Sequence, residues 1–159
     1  MIRVSIALFV ILLSLSCEKE NTSGCTDDFY AYEILPASKI DTIRNQGGLF
    51  YQINPGNNLV FRYTHAGPDC INMADEEYTE YLVFQVPSGA TSFEFRDEQL
   101  KVAFSYFRRV CFCGMSSPVI SSGVIKGTKI SATKWNVEIN VELPGSSNKI
   151  ILSRTFSVS

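Results

Sequence analysis

The chain has 159 residues, with 14 Lys and Arg against 16 Asp and Glu, one His and five Cys. That length suits a single domain with a proper core and is short for two. A net charge of −2 with both signs mixed along the chain argues against a nucleic-acid partner and against membrane attraction by charge alone.

Taken in chain order, the first stretch is apolar. Arg3 supplies a positive start, residues 4–13 (VSIALFVILL) are greasy apart from Ser5, and residues 14–17 (SLSC) form a small-residue exit. A bilayer needs about 20 apolar residues to cross, so this run reads as a secretory signal and not as a fold element. The exit resembles the lipobox of bacterial lipoproteins, in which a peptidase cuts before a Cys whose thiol has been diacylated. Ser16 is the small residue that must precede Cys17, while Ser14 and Leu15 stand in exchanged order relative to the usual pattern. Residues 18–24 (EKENTSG) then make a polar tether, similar to the charged N-termini of Bacteroidota lipoproteins. The resemblance implies a signal peptide over residues 1–16, a lipid anchor at Cys17, a tether to residue 28 and a domain over residues 29–159. It also implies a place in the cell envelope, held at the outer membrane by acyl chains and facing either the periplasm or the outside. Such chains contribute about 0.8 kcal/mol per buried methylene.

Four cysteines remain after Cys17: Cys25, Cys70, Cys111 and Cys113. An even number in an oxidising compartment points to two disulfides, with three connectivities open. Cys111 and Cys113 lie two apart on an expected strand, so both leave by one face and a bond between them strains the backbone. Of the connectivities, we expect Cys70 with Cys111 and Cys25 with Cys113. A structural zinc is the weaker reading, because paired C-x2-C knuckles are missing.

Period-two patterning then dominates. Residues 29–35 (FYAYEIL) read as a strand closed by Pro36, and residues 39–44 lead to a turn at Asn45-Gln46-Gly47-Gly48. Residues 49–53 are expected to pair with 59–64 in a hairpin across the turn-rich segment 54–58 (NPGNN). Residues 65–80 (HAGPDCINMADEEYTE) break the rhythm and read as a long acidic loop, with one helical turn possible at 73–77. Strands are expected again at 81–86 and 91–96, the latter with Phe93 and Phe95 on one face, and a long strand over 100–113. In that strand Val102, Phe104 and Tyr106 share a face that changes near Phe107-Arg108-Arg109. A strand over 123–131 holds Gly127, a plausible bend. The cleanest alternation follows, with Trp135, Val137, Ile139, Val141 and Leu143 apolar between polar neighbours. Residues 149–158 close the domain with Ile150, Leu152, Phe156 and Val158 inward. About 8–9 short strands without helical periodicity predict an all-β, antiparallel β-sandwich, immunoglobulin-like or related, with a closed lipocalin-like barrel as the alternative.

Chemistry-bearing motifs are sparse. The single His65 sits beside five acids of the expected loop, Asp69, Asp75, Glu76, Glu77 and Glu80. A Cys-His nucleophile would need one cysteine unpaired. No nucleophile elbow, zinc-protease helix or phosphate-cradling loop is present. The acids could hold calcium, but the ordered spacing of a calcium loop is missing. We therefore expect no catalytic residues, no metal and no cofactor. The expected function is that of a lipid-anchored, non-enzymatic binding or accessory protein presenting its loops to a protein or glycan, with His65, Asp69, Asp75, Glu76, Glu77 and Glu80 as the contact surface. A small extracytoplasmic hydrolase using the His65 region, and a structural subunit of an envelope complex, are the alternatives.

Overall fold

The computed structural model describes residues 24–46, 48–69, 78–111 and 117–159. The signal and lipid-anchor expectations fall outside these residues, as do Cys70, the helical turn expected at 73–77 and Cys113.

Among the described residues nine strands and one short helix follow each other in the order β1 (Phe29–Asn45), β2 (Gly48–Pro55), β3 (Asn58–Ala66), β4 (Thr79–Pro87), β5 (Ser92–Arg96), α1 (Gln99–Val102), β6 (Tyr106–Val110), β7 (Gly123–Lys129), β8 (Lys134–Glu142) and β9 (Lys149–Val158). Hydrogen bonding links them in the spatial order β5-β7-β8-β9-β1-β3-β4-β6, with β2 attached to β1. The fold is an all-β sandwich. Its end strands β5 and β6 do not pair, so the barrel alternative falls. Pairing is antiparallel except at one seam, where β1 and β9 run parallel over Glu33↔Ser157 and Ile34↔Val158.

The long strand β1 does not stop at Pro36. It bends there, with Ala37 at φ 50 and a register shift between Leu35 and Ser38. The hairpin expected across residues 54–58 does not form either. Both β2 and β3 pair antiparallel with β1, β2 along Ser38 to Asn45 and β3 along Phe29 to Leu35, so they act as one bent partner strand. The Pro-Gly segment is spent on that bend and not on a reversal. Gly56 donates its N–H to the Ala37 carbonyl at 2.9 Å, and a Cβ on Gly56 would lie 2.6 Å from the Lys39 Cβ.

The bend carries the far half of β1, with β2, across the outer face of β3-β4-β6. Two cores result. The main one holds Phe61, Phe84, Trp135, Val137, Ile139 and Phe156; the second holds Ile40, Val60, Val83 and Tyr106, with Leu49, Tyr51 and Ile53 packed against it. Gln85 fixes the covering half of β1, its Oε1 accepting the Ile40 N–H at 2.8 Å.

β8 alternates between exposed and buried positions without interruption, as its sequence predicts. Gly127 leaves room for its cross-strand partner Phe93, whose ring a Cβ would meet at 2.6 Å. Val158, expected inward, is 37% exposed, because it lies beyond the Trp135↔Phe156 pair at the limit of the core. The strand expected over 100–113 is a correction. Asp97 turns the chain at φ 47 while its Oδ1 accepts the Gly123 N–H at 2.9 Å, and the Gln99 Oε1 accepts the Arg96 N–H at 3.0 Å. The chain winds into α1, burying Leu100 and leaving Val102 77% exposed. β6 begins only at Tyr106 and pairs with β4 without a break, so no change of face occurs at Arg108.

Gly123 is the tightest backbone position. It has φ +113, and a Cβ there would lie 2.2 Å from the Asn140 carbonyl oxygen and 2.6 Å from the Val141 Cα. Backbone cannot step aside as a side chain can. Gly123→Ala is expected to destabilise the fold by about 2–4 kcal/mol, read as a lower urea midpoint.

Candidate functional site

The residues expected in an acidic loop are partly strand. β3 runs to Ala66 and β4 starts at Thr79, so His65 and Glu80 face each other in register. The same rung continues on both sides, since Tyr30 pairs with His65 across β1 and β3, and Glu80 pairs with Arg109 across β4 and β6. Four strands thus set an aromatic ring, an imidazole, a carboxylate and a guanidinium in one row at the end of the main core.

Each member of that row is held by its neighbours. The Tyr30 and His65 rings stack in parallel, centroids 4.6 Å apart and planes 3° apart, and Tyr78 meets His65 edge-on at 6.0 Å. His65 Nε2 lies 3.3 Å from Asp28 Oδ1, and Nδ1 lies 3.5 Å from Glu80 Oε2, a long contact. Glu80 is buried, with 9% of its surface exposed. Its Oε1 accepts hydrogen bonds from the Tyr78 hydroxyl, from Arg109 Nε at 3.2 Å and from Arg109 Nη2 at 2.9 Å. The Arg109 guanidinium also sits 5.4 Å from the centre of the Tyr78 ring.

Burial alone would push the Glu80 carboxyl up. The hydrogen bonds from Tyr78, Arg109 and His65 outweigh that and hold it below the ordinary carboxylate value. Tyr78 is pushed up by burial and by its bond to Glu80, so it stays a donor. Burial does the same to Tyr63, one rung inward. Both nitrogens of His65 face carboxylates, which leaves neither directed at a substrate.

Asp69 is exposed and lies outside this row. Its backbone clasps the segment before β1: the Thr26 N–H donates to the Asp69 carbonyl at 2.8 Å, and the Asp69 N–H to Thr26 Oγ1 at 2.9 Å. Asp75, Glu76 and Glu77 fall outside the described residues. Among the described residues no group of three or more His, Cys, Asp and Glu could hold a metal ion. Cys25 and Cys111 are each disulfide-bonded.

Beside the row lies a groove of about 520 Å³, with Tyr30, Tyr32 and His65 on one wall and Lys149, Ile151 and Arg154 on the other. It exists because β1 and β9 part company above their two-pair seam. The alternation of a ladder shows what the walls offer. Val158 donates to Thr133 and Ser159 to the Ile34 carbonyl, so even-numbered residues of β9 bond β8 and odd-numbered ones face β1. The backbone groups of Tyr30 on one side, and of Ile151, Ser153 and Thr155 on the other, therefore point into the groove without a partner strand among the described residues.

Comparison with known proteins finds no match: no family model, no curated protein and no solved structure is significantly similar to this chain.

Sequence reasoning named His65 and Glu80 but missed Tyr30, Tyr78, Arg109 and Asp28. The available signal was the aromatic density of residues 29–32, read only as strand propensity. Arg109 could be placed opposite Glu80 only once β4 and β6 were known to be neighbours.

The lowered Glu80 value sets a pH dependence. Between its folded value and about 4.5 the unfolded chain binds more protons, so stability rises with pH there, is full above about 4.5 and is lost as pH falls through the folded value. Glu80→Gln is expected to cost about 1.5–3 kcal/mol at neutral pH and to flatten this acid limb, measured by urea unfolding from neutral to acid pH.

Proposed function

We propose that this chain is a non-enzymatic, extracytoplasmic binding protein, anchored by lipid at Cys17, that takes a glycan into the groove between β1 and β9. The observation that carries the reading is Tyr30. The residue is 48% exposed and its ring is held flat by the His65 stack, so one aromatic face is pre-positioned beside the groove. A sugar presents an apolar face to such a ring and hydroxyls to its surroundings, and Asp28, Lys149 and Arg154 supply acceptors and donors close by. Rigidity favours this use, because the Tyr30 ring is already ordered before a ligand arrives. The contact surface in this reading is the strand-borne groove, not the 65–80 loop as a whole.

A second reading is favoured by one specific observation, the backbone edge of β9 before its seam with β1, which has no partner strand among the described residues. An extended peptide could add itself there as a strand. Two variants separate the readings in a binding titration with the purified full chain. Tyr30→Ala is expected to weaken a glycan by about 3- to 10-fold and to leave a strand-added peptide unaffected. Ser153→Pro removes an N–H that points at the groove, so it should abolish peptide addition and spare the glycan.

The anchor rests on the 14–17 exit and the polar tether after it. Expressed in a bacterial host that acylates lipoproteins, the full chain is expected to partition into the detergent phase, and Cys17→Ala to move it to the aqueous phase.

A further inference from the structure

The geometry points to a second binding site, for a singly charged oxyanion group such as a carboxylate or a sulfate ester, at Arg108 on the outer face of β3-β4-β6. This face is opposite the one that carries His65. Along β6, Phe107 joins the main core while Tyr106 joins the second, so Arg108, two residues after Tyr106, also faces outward. Its cross-strand partner is Tyr81 on β4, and Arg62 on β3 pairs with Val83, two residues along from Tyr81 on the same side. Tyr51 reaches the same place from β2, its ring 5.9 Å from that of Tyr106. Two guanidinium groups and two phenols therefore gather on this face, all four half-buried, with Arg108, Tyr81 and Arg62 each close to Tyr51.

What singles Arg108 out is a buried donor that no group among the described residues meets. Its neighbours are matched, Arg62 with Glu33 at 2.8 Å and Arg109 with Glu80 at 2.9 Å. The Arg108 Nε is fully buried and has no hydrogen-bond partner among the described residues, although the residue as a whole is half-buried. A buried donor on a charged group is costly to leave unmade. The guanidinium fork matches two oxygens of one ligand group, and the phenols can donate to it as well. Burial pushes the Tyr51 hydroxyl up to about 12, with Arg108, Tyr81 and Arg62 all close enough to act on it, so it remains a protonated donor. Glu33 offsets Arg62, which leaves one positive charge to be met and selects a monoanion over a dianion.

The test follows the Arg108 Nε–Hε resonance of the purified full chain in non-ionic detergent, titrated with sodium acetate or sodium methyl sulfate, both monoanions, against sodium chloride at matched ionic strength. A saturable shift with acetate, methyl sulfate or both, on the order of millimolar, is expected. Acetate alone identifies a carboxylate, and methyl sulfate alone a sulfate ester. Tyr81→Phe should weaken the response by about 3- to 10-fold, and Arg108→Gln should remove the anion-induced shifts of neighbouring amides. Glu80→Gln, on the opposite face, should leave the response intact. No saturation beyond chloride, or amide shifts that persist in Arg108→Gln, overturns the proposal. If Arg108→Gln does not fold, Tyr81→Phe decides, and an unchanged affinity there overturns it.

Discussion

The structure depends on the requirement that β3 and β4 be buried on both faces. Val60 and Phe61 are adjacent and fully buried, and so are Val83 and Phe84. Adjacent strand residues point to opposite sides, so no single layer can cover such a pair. Each fully buried side chain of this size contributes about 1.5–3 kcal/mol, and leaving one face open would forfeit half of that stabilisation. The main core covers the Phe side. The Val side has to be covered by a second layer, and the chain supplies it by bending β1 at Pro36-Ala37 and folding its far half back with β2.

The same alternation separates two kinds of chemistry. Arg108 and Arg109 are neighbours in sequence and lie on opposite faces of β6. Arg109 meets Glu80 in a row that is internally neutralised and held by stacked rings. Arg108 enters the rim of the second core beside phenols, and its Nε finds no hydrogen-bond partner among the described residues. Such a row stabilises an arrangement, whereas an unmatched buried donor leaves interaction energy available to something outside the chain.

Legibility in the sequence followed the number of faces a strand buries. β8 has one buried face, and its alternation from Trp135 to Val141 could be read residue by residue. The runs at residues 59–61 and 81–84 are continuous because both faces are buried, and a continuous run names a strand without naming its partners. That is why the 54–58 segment looked like a hairpin turn: Pro and Gly serve a bend as well as a reversal. α1 was missed because its four residues are set by Asp97 and Gln99 bonding across to Gly123 and Arg96, contacts invisible in a local window. The His65–Glu80 pairing was hidden for a related reason. Gly67 and Pro68 suggested that the strand had already ended, yet the register carries it through Ala66.

The seam between β1 and β9 sets how the two halves of the sandwich are held together. It has two register pairs, whereas β8 and β9 share nine. Little backbone bonding joins β5-β7-β8-β9 to the rest, so the joint is mostly aromatic side chains: Tyr32 against Phe156, and Phe61 against both Phe93 and Trp135. Apolar attraction of this kind fades as water cools, while the ladders inside each half lose much less. The molecule is thus put together like two stiff plates joined by an oily hinge, and chilling loosens the hinge before it softens either plate.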